Sequence, residues 1–224
     1  MSSVDTILFD WDGTLLDSAP YAFLAFQKAF GELGLVLEMD LYERIYSPNW
    51  YEMYRALQLP EHRWQDADAL WTRHYGQTTA PLVKGGRDAL DELIYRGYCL
   101  GIVTSGSRIR VAHELKTLRL EEIFGTVVCS EDVANKKPHP EGLEMAMKHM
   151  DKRPEICCYV GDSPVDVEMG KRAGMQTIGI LSGYPGSKAL PSTHPDFCFE
   201  SITQLQLHFS FEVRNSGAVI KPDH

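Results

Sequence analysis

Two carboxylates two positions apart, Asp10 and Asp12, follow the apolar run Ile7-Leu8-Phe9 and precede Gly13-Thr14. At the mouth of a strand, both side chains can approach one site above a sheet if the backbone turns, and Gly13 permits that turn. An acidic turn held by its own hydrogen bonds explains the same residues. A calcium loop does not. With Gly13 at the loop glycine, Leu8 falls on the first ligand position and Ala19 on the last.

Three further segments follow apolar runs in the same way. Thr104-Ser105-Gly106-Ser107 offers hydroxyls and unpaired N–H groups at a helix start, which suit an oxyanion such as phosphate or simply cap the helix. In Asn135-Lys136-Lys137-Pro138, a lysine held extended by the following proline can reach carboxylates and phosphate. Two loop lysines are equally a solvated surface. In Gly161-Asp162-Ser163-Pro164-Val165-Asp166, Asp162 leaves a strand and Asp166 follows one helical turn later, so both can face one crevice. Asp162 or Ser163 could instead cap a helix that opens with Pro164. Each segment has a local explanation, but four of them at four strand ends, where open parallel sheets bind ligands, point to one assembled site.

In that site Asp10, Asp12, Asp162 and Asp166 supply negative charge, while Lys137 and the Thr104 turn supply positive charge and donors. Carboxylates within about 4–6 Å raise one another's pKa unless a cation compensates them. All-oxygen ligands select a hard divalent ion, Mg2+, over zinc. The eight histidines show no paired metal spacing.

The elements that must hold these segments are legible in the periodicity. Residues 6–9, 99–103, 126–129, 156–160 and 177–180 read as strands. Residues 87–96, 109–118, 141–149, 165–173 and 202–208 read as helices. Such alternation predicts an α/β fold, a doubly wound parallel sheet covered on both faces. Between residues 18 and 82 the pattern is helical throughout (21–33, 41–45, 51–57 and 61–75), punctuated by Pro48, Pro60 and Pro81. This predicts a core of residues 1–17 and 83–213 with a helical insert at 18–82. The polar stretch 214–224 is expected to be disordered.

Bulk properties narrow the partners. The 224 residues are 44% hydrophobic and 24% charged, with a net charge of −9 and pI near 5.3. A dominant nucleic-acid or anionic-membrane surface needs a basic footprint, so neither is expected. No stretch approaches the roughly 20 apolar residues of a membrane span, and the start of the chain lacks the basic region of a signal peptide. Five cysteines without a C-x-x-C pair, several in apolar runs, read as reduced, buried thiols in a cytoplasmic protein.

Taken in order, D-x-D-G-T at Asp10, a strand ending in Thr104, Lys137-Pro138 and G-D-S-x-x-D at Gly161 resemble the haloacid dehalogenase superfamily, over Asp10 to Gly174. The core would then be Rossmann-like. Residues 18–82 look like that superfamily's small helical cap, as in its phosphoglycolate phosphatase and β-phosphoglucomutase branch. The resemblance implies that Asp10 attacks phosphorus and that Asp12 protonates the leaving oxygen and later deprotonates water. It implies that Thr104 and the Ser105 backbone N–H bind phosphoryl oxygens, and that Lys137 neutralises nucleophile and phosphate. Asp10, Asp162 and the Asp12 carbonyl would hold Mg2+, with Asp166 in support. An acidic residue at position 12 favours phosphate chemistry over the dehalogenase branch. Ser105 stands where relatives often carry asparagine.

The expected activity is Mg2+-dependent hydrolysis of a small phosphorylated metabolite by a monomer or homodimer. A sugar-phosphate mutase and a non-catalytic regulatory protein on the same fold are the alternatives. Tyr46, Asn49, Trp50, Tyr51 and Arg55 are candidate specificity residues. Trp50 and Tyr51 could equally be core of the insert and Arg55 a surface charge.

Overall fold

The computed structural model describes residues 4–47 and 49–211, so Pro48 and the expected tail at 214–224 lie outside the described residues. Six strands form one sheet in the order β3-β2-β1-β4-β5-β6. They are β1 (Thr6–Phe9), β2 (Cys99–Val103), β3 (Thr126–Val128), β4 (Cys157–Gly161), β5 (Gln176–Ile180) and β6 (Phe197–Phe199). All five pairings are parallel, and β1 lies between β2 and β4 with Phe9 opposite both Ile102 and Val160.

A parallel strand must bury both faces, and alternation of side chains divides β1 between two cores. Ile7 and Phe9 pack with α5 (Gly86–Tyr95), α6 (Arg108–Thr117) and α9 (Ile202–Phe211) through Leu90, Leu93, Val111, Leu115 and Leu205. Leu8 points the other way, into the core that α7 (Glu141–His149) and α8 (Pro164–Arg172) close with Leu143, Met147 and Met169. From β1 the chain builds outward to β2 and β3, then crosses back to β4 on the opposite side. The β1–β4 boundary is therefore the topological switch point, where the connecting helices diverge and leave a crevice.

Between β1 and α5 the chain forms α1 (Ala19–Glu32), α2 (Met39–Ile45), α3 (Trp50–Ala56) and α4 (Trp64–Tyr75). These enclose an aromatic core of their own, with Phe26, Phe30, Tyr42, Tyr54 and Trp71 buried. Chain entry and exit run side by side: Leu16 bridges Leu82, the Asp17 N–H donates to the Pro81 carbonyl at 2.9 Å, and the Val83 N–H donates to the Leu15 carbonyl at 2.9 Å.

The expected strands and helices form with ends shifted by a few residues. The predicted helix 61–75 begins as a 3-10 turn, Glu61–Arg63, before α4. Periodicity did not anticipate β6 or the 3-10 stretch Pro185–Thr193. Three residues with Cys198 exposed carry too little alternation to read as a strand. No helix among the described residues is long and apolar enough to cross a membrane.

Candidate active site

Asp10 leaves the end of β1 with its N–H donating to the Val160 carbonyl at 2.8 Å, which sets its carboxylate at the switch point. Lys137 Nζ reaches Asp10 Oδ1 at 2.6 Å and Asp166 Oδ1 at 2.8 Å. The neighbouring Lys136 turns away, its ammonium donating to the Ser130 carbonyl. Of the two adjacent lysines, Lys137 is therefore the one in contact with the carboxylates.

Asp166 is fixed from its own helix. Ser163 caps α8, accepting from the Asp166 N–H, while Asp166 Oδ2 accepts from the Ser163 N–H at 3.2 Å and from its hydroxyl at 2.5 Å. This reciprocal arrangement satisfies donors that a helix start leaves unpaired. The Tyr159 hydroxyl lies 3.1 Å from Asp166 Oδ1, and the Tyr159 ring lies 5.4 Å beneath the Lys137 ammonium.

Asp162, at the end of β4, accepts from the Ser182 hydroxyl at 2.5 Å. Its other constraint is Gly13, at φ +82°, where a Cβ would sit 2.2 Å from Asp162 Oδ2. Only glycine serves both the left-handed turn and that close approach. One carboxylate oxygen each from Asp10, Asp162 and Asp166 lies within 4.8 Å of the others, and all three residues are buried.

Burial pushes Asp10 up to about 7, with Lys137 opposing and the Asp166 charge adding to the rise. Asp162 is raised well above the usual carboxylate range, by burial and then by the charges of Asp10 and Asp166. Burial would lower Lys137, but Asp10 and Asp166 more than reverse this and keep it charged. One ammonium against three buried carboxylates leaves an excess of negative charge, and a hard divalent cation ligated by oxygen fits that excess.

Asp12 lies apart from this group. Its two oxygens accept from Arg110 Nη1 at 3.0 Å and Nη2 at 2.5 Å. Arg110 Nη1 also donates to both oxygens of Glu114 at 3.0 and 3.2 Å, and Glu114 accepts the Trp11 indole N–H at 2.7 Å. The residue between the two aspartates and Asp12 itself are therefore both tied to α6. Tyr75 at the end of α4 lays its ring 5.3 Å from the Arg110 guanidinium.

Thr104 is buried at the end of β2, its hydroxyl accepting the Gly106 N–H at 3.0 Å. The exposed Ser105 shares a small cavity with Thr104, Asn135, Lys136 and Lys137. Of the five candidate specificity residues, Tyr46 adjoins the loop after β5, its ring 5.6 Å from Tyr184. Trp50 packs on Trp71 and Phe26 inside the helical core. Tyr51 and Arg55 lie on Trp64, and Asn49 caps α3.

Sequence reading missed Arg110, Glu114, Tyr159, Ser182 and Tyr184. Arg110 and Glu114 are visible as an i,i+4 pair on a predicted helix, but such pairs are normally solvated. Nothing in their spacing says that they face Asp12.

A doubly wound parallel sheet carrying an acidic cluster and a lysine at its switch point defines a class of α/β enzymes. The chain belongs to the haloacid dehalogenase-like hydrolase family, whose pattern it matches over residues 7–180. It is 31% identical over 212 residues to pyrophosphatase PpaX of Oceanobacillus iheyensis, covering 91% of this chain and 95% of that one. It is likewise 31% identical over 228 residues to the phosphoglycolate phosphatase of Escherichia coli K12, covering 89% and 90%. Among solved structures, the haloacid dehalogenase-like family protein SP0104 of Streptococcus pneumoniae superposes with a TM-score of 0.80 at 24% identity, covering 93% of this chain and 100% of that one. CbbY of Rhodobacter sphaeroides, solved with phosphate, superposes at 0.77 and 23%, covering 90% and 96%.

Proposed function

We propose that this hydrolase is a Mg2+-dependent phosphatase that cleaves a small phosphomonoester through an aspartyl-phosphate on Asp10. The observation that carries the reading is the buried group of Asp10, Asp162 and Asp166 around Lys137 at the switch point. The kinship with a pyrophosphatase and a phosphoglycolate phosphatase supports it and makes pyrophosphate and phosphoglycolate the first compounds to test.

In this reading the Asp10 carboxylate attacks phosphorus, the bond to the leaving oxygen breaks, and Asp12 gives that oxygen a proton. Water then attacks the phosphoryl group, Asp12 takes its proton, and the bond to Asp10 breaks. Lys137 neutralises the nucleophile and the incoming phosphate. Thr104, with the Ser105 N–H, receives phosphoryl oxygens at the end of β2. Asp10, Asp162 and the Asp12 backbone carbonyl would hold Mg2+, with Asp166 behind them, and the ion would supply further charge stabilisation to the phosphoryl group. Such positioning and neutralisation account for most of the catalysis in phosphoryl transfer. Residues 18–82 act as a cap that excludes bulk water from the core formed by 1–17 and 83–213.

The test is phosphate release from pyrophosphate, phosphoglycolate, sugar phosphates and nucleotides, with and without Mg2+, with Asp10→Asn as control. Mg2+-dependent release that the substitution abolishes supports the reading. Failure to release phosphate from every compound overturns it.

A further inference from the structure

Arg110 is a cation inside the crevice that the phosphatase reading leaves without a task. Its side chain is 17% exposed, against 27% for Asp12 in front of it and 3% for Glu114 behind. Glu114 is immobilised by the Trp11 indole, so the guanidinium is held from the back and gives its other hydrogen bonds to Asp12. The Tyr75 ring covers it from the helical side, which removes water and strengthens any ionic hydrogen bond made there.

If Asp12 meets the leaving oxygen, the next group out is Arg110, since Asp12 and the guanidinium are already in contact at 2.5 and 3.0 Å. An acidic group one or two bonds beyond the leaving oxygen would come within reach of the same donors. The wall beyond is aromatic. Tyr184 lies so close to Gly13 that a Cβ there would be 2.8 Å from the ring, and Tyr46 packs on Tyr184. The guanidinium and these two rings therefore border the space beyond Asp12.

Resting on the phosphatase reading, we infer that Arg110 is a specificity residue that binds a second acidic group, carboxylate or phosphoryl, on a small leaving group. Asp12 holds that place until substrate arrives. When Asp12 turns to the leaving oxygen it gives up its share of the guanidinium, and the substrate's acid takes the vacated donors. Asp12 takes up a proton from solvent as it leaves the guanidinium, which equips it to protonate the leaving oxygen, and the substrate's anion replaces its charge, so Arg110 keeps two acidic partners throughout. A substrate without the second acid leaves Arg110 with Glu114 alone.

The test compares phosphoglycolate with 2-hydroxyethyl phosphate, which has a neutral hydroxymethyl group in place of the carboxylate. With Mg2+, the wild-type protein should favour phosphoglycolate in kcat/KM by roughly 10- to 100-fold, the range of a charge-assisted hydrogen-bond pair. Arg110→Met should collapse that ratio towards one, and binding to Asp10→Asn protein, measured by calorimetry, should show the same preference. Because Arg110→Met leaves Glu114 buried without its cation, Arg110→Met/Glu114→Gln provides a variant free of that charge, with the same expected ratio. A preference that survives in these variants, or wild-type protein that hydrolyses both esters equally, overturns the inference alone. Hydrolysis of neither ester, nor of any compound in the wider panel, overturns the phosphatase reading along with it.

Discussion

The Ser182 hydroxyl donates to Asp162 Oδ2 at 2.5 Å, tying the loop after β5 to the carboxylate at the end of β4. The loop is organised around that serine: its N–H donates to the Ser187 hydroxyl at 2.8 Å, and its hydroxyl accepts the Tyr184 N–H at 3.1 Å. Partners that orient a ligating group carry much of a metal site's affinity. Ser182→Ala should therefore weaken Mg2+ binding by roughly 10- to 100-fold, read as a rise in the Mg2+ concentration giving half-maximal activity. An unchanged Mg2+ requirement would remove Ser182 from the site.

Gly13→Ala should be more damaging. The added Cβ meets the Asp162 carboxylate at 2.2 Å in a backbone conformation that alanine disfavours. Strain and displacement together should cost about 1–3 kcal/mol of stability. Mg2+-dependent activity should fall more steeply than the melting temperature implies, which thermal denaturation and metal titration on the same sample would reveal.

Proton and metal should compete at Asp10. Burial raises its carboxyl to about 7, so between about pH 4 and pH 7 the folded protein holds a proton that the unfolded chain has released. The group's contribution to stability is therefore present at low pH and lost as pH rises through 7. On the proposed metal site Mg2+ would displace the proton, and the rise in melting temperature it produces should grow from pH 5 to pH 8. A metal-induced shift that is flat across this range would contradict the account.

Asp12→Ala should discriminate between leaving groups. A general acid contributes typically about 10²- to 10⁴-fold, and that contribution matters less when the leaving oxygen is already a stable anion. Loss on an alkyl phosphate should exceed loss on p-nitrophenyl phosphate by at least about tenfold. Asp10→Asn should abolish turnover of both, since without the nucleophile neither has a covalent route.

The sheet and the acidic segments were legible because each rests on a local signal. Ile7-Leu8-Phe9 and the runs ending at Val103 and Val160 are continuous apolar strands, and the residues after them must lie at the sheet's C-terminal edge. Ser163-Pro164 with Asp166 carries its helix start in its own spacing. Lys137 could be singled out by Pro138. Arg110, Tyr184 and Ser182 were hidden because their importance comes from contacts across long separations, such as the 98 positions that separate Arg110 from Asp12. For the insert, the sequence shows aromatic residues without their direction, and the structure packs Tyr46 on Tyr184 in the loop after β5.

The chain leaves for the helical layer at Leu16 and returns at Leu82, and those two residues face each other across a bridge closed by the hydrogen bonds of their neighbours. The distance the sheet must span across the insertion is therefore almost nothing, however many residues lie between. Any helical segment whose two ends meet could be seated on the same stem without disturbing β1. The acidic cluster at the sheet's edge and the helical layer above it are in this way carried on separable pieces of one polypeptide, and a graft exchanged at this stem would leave the strand that bears Asp10 where it is.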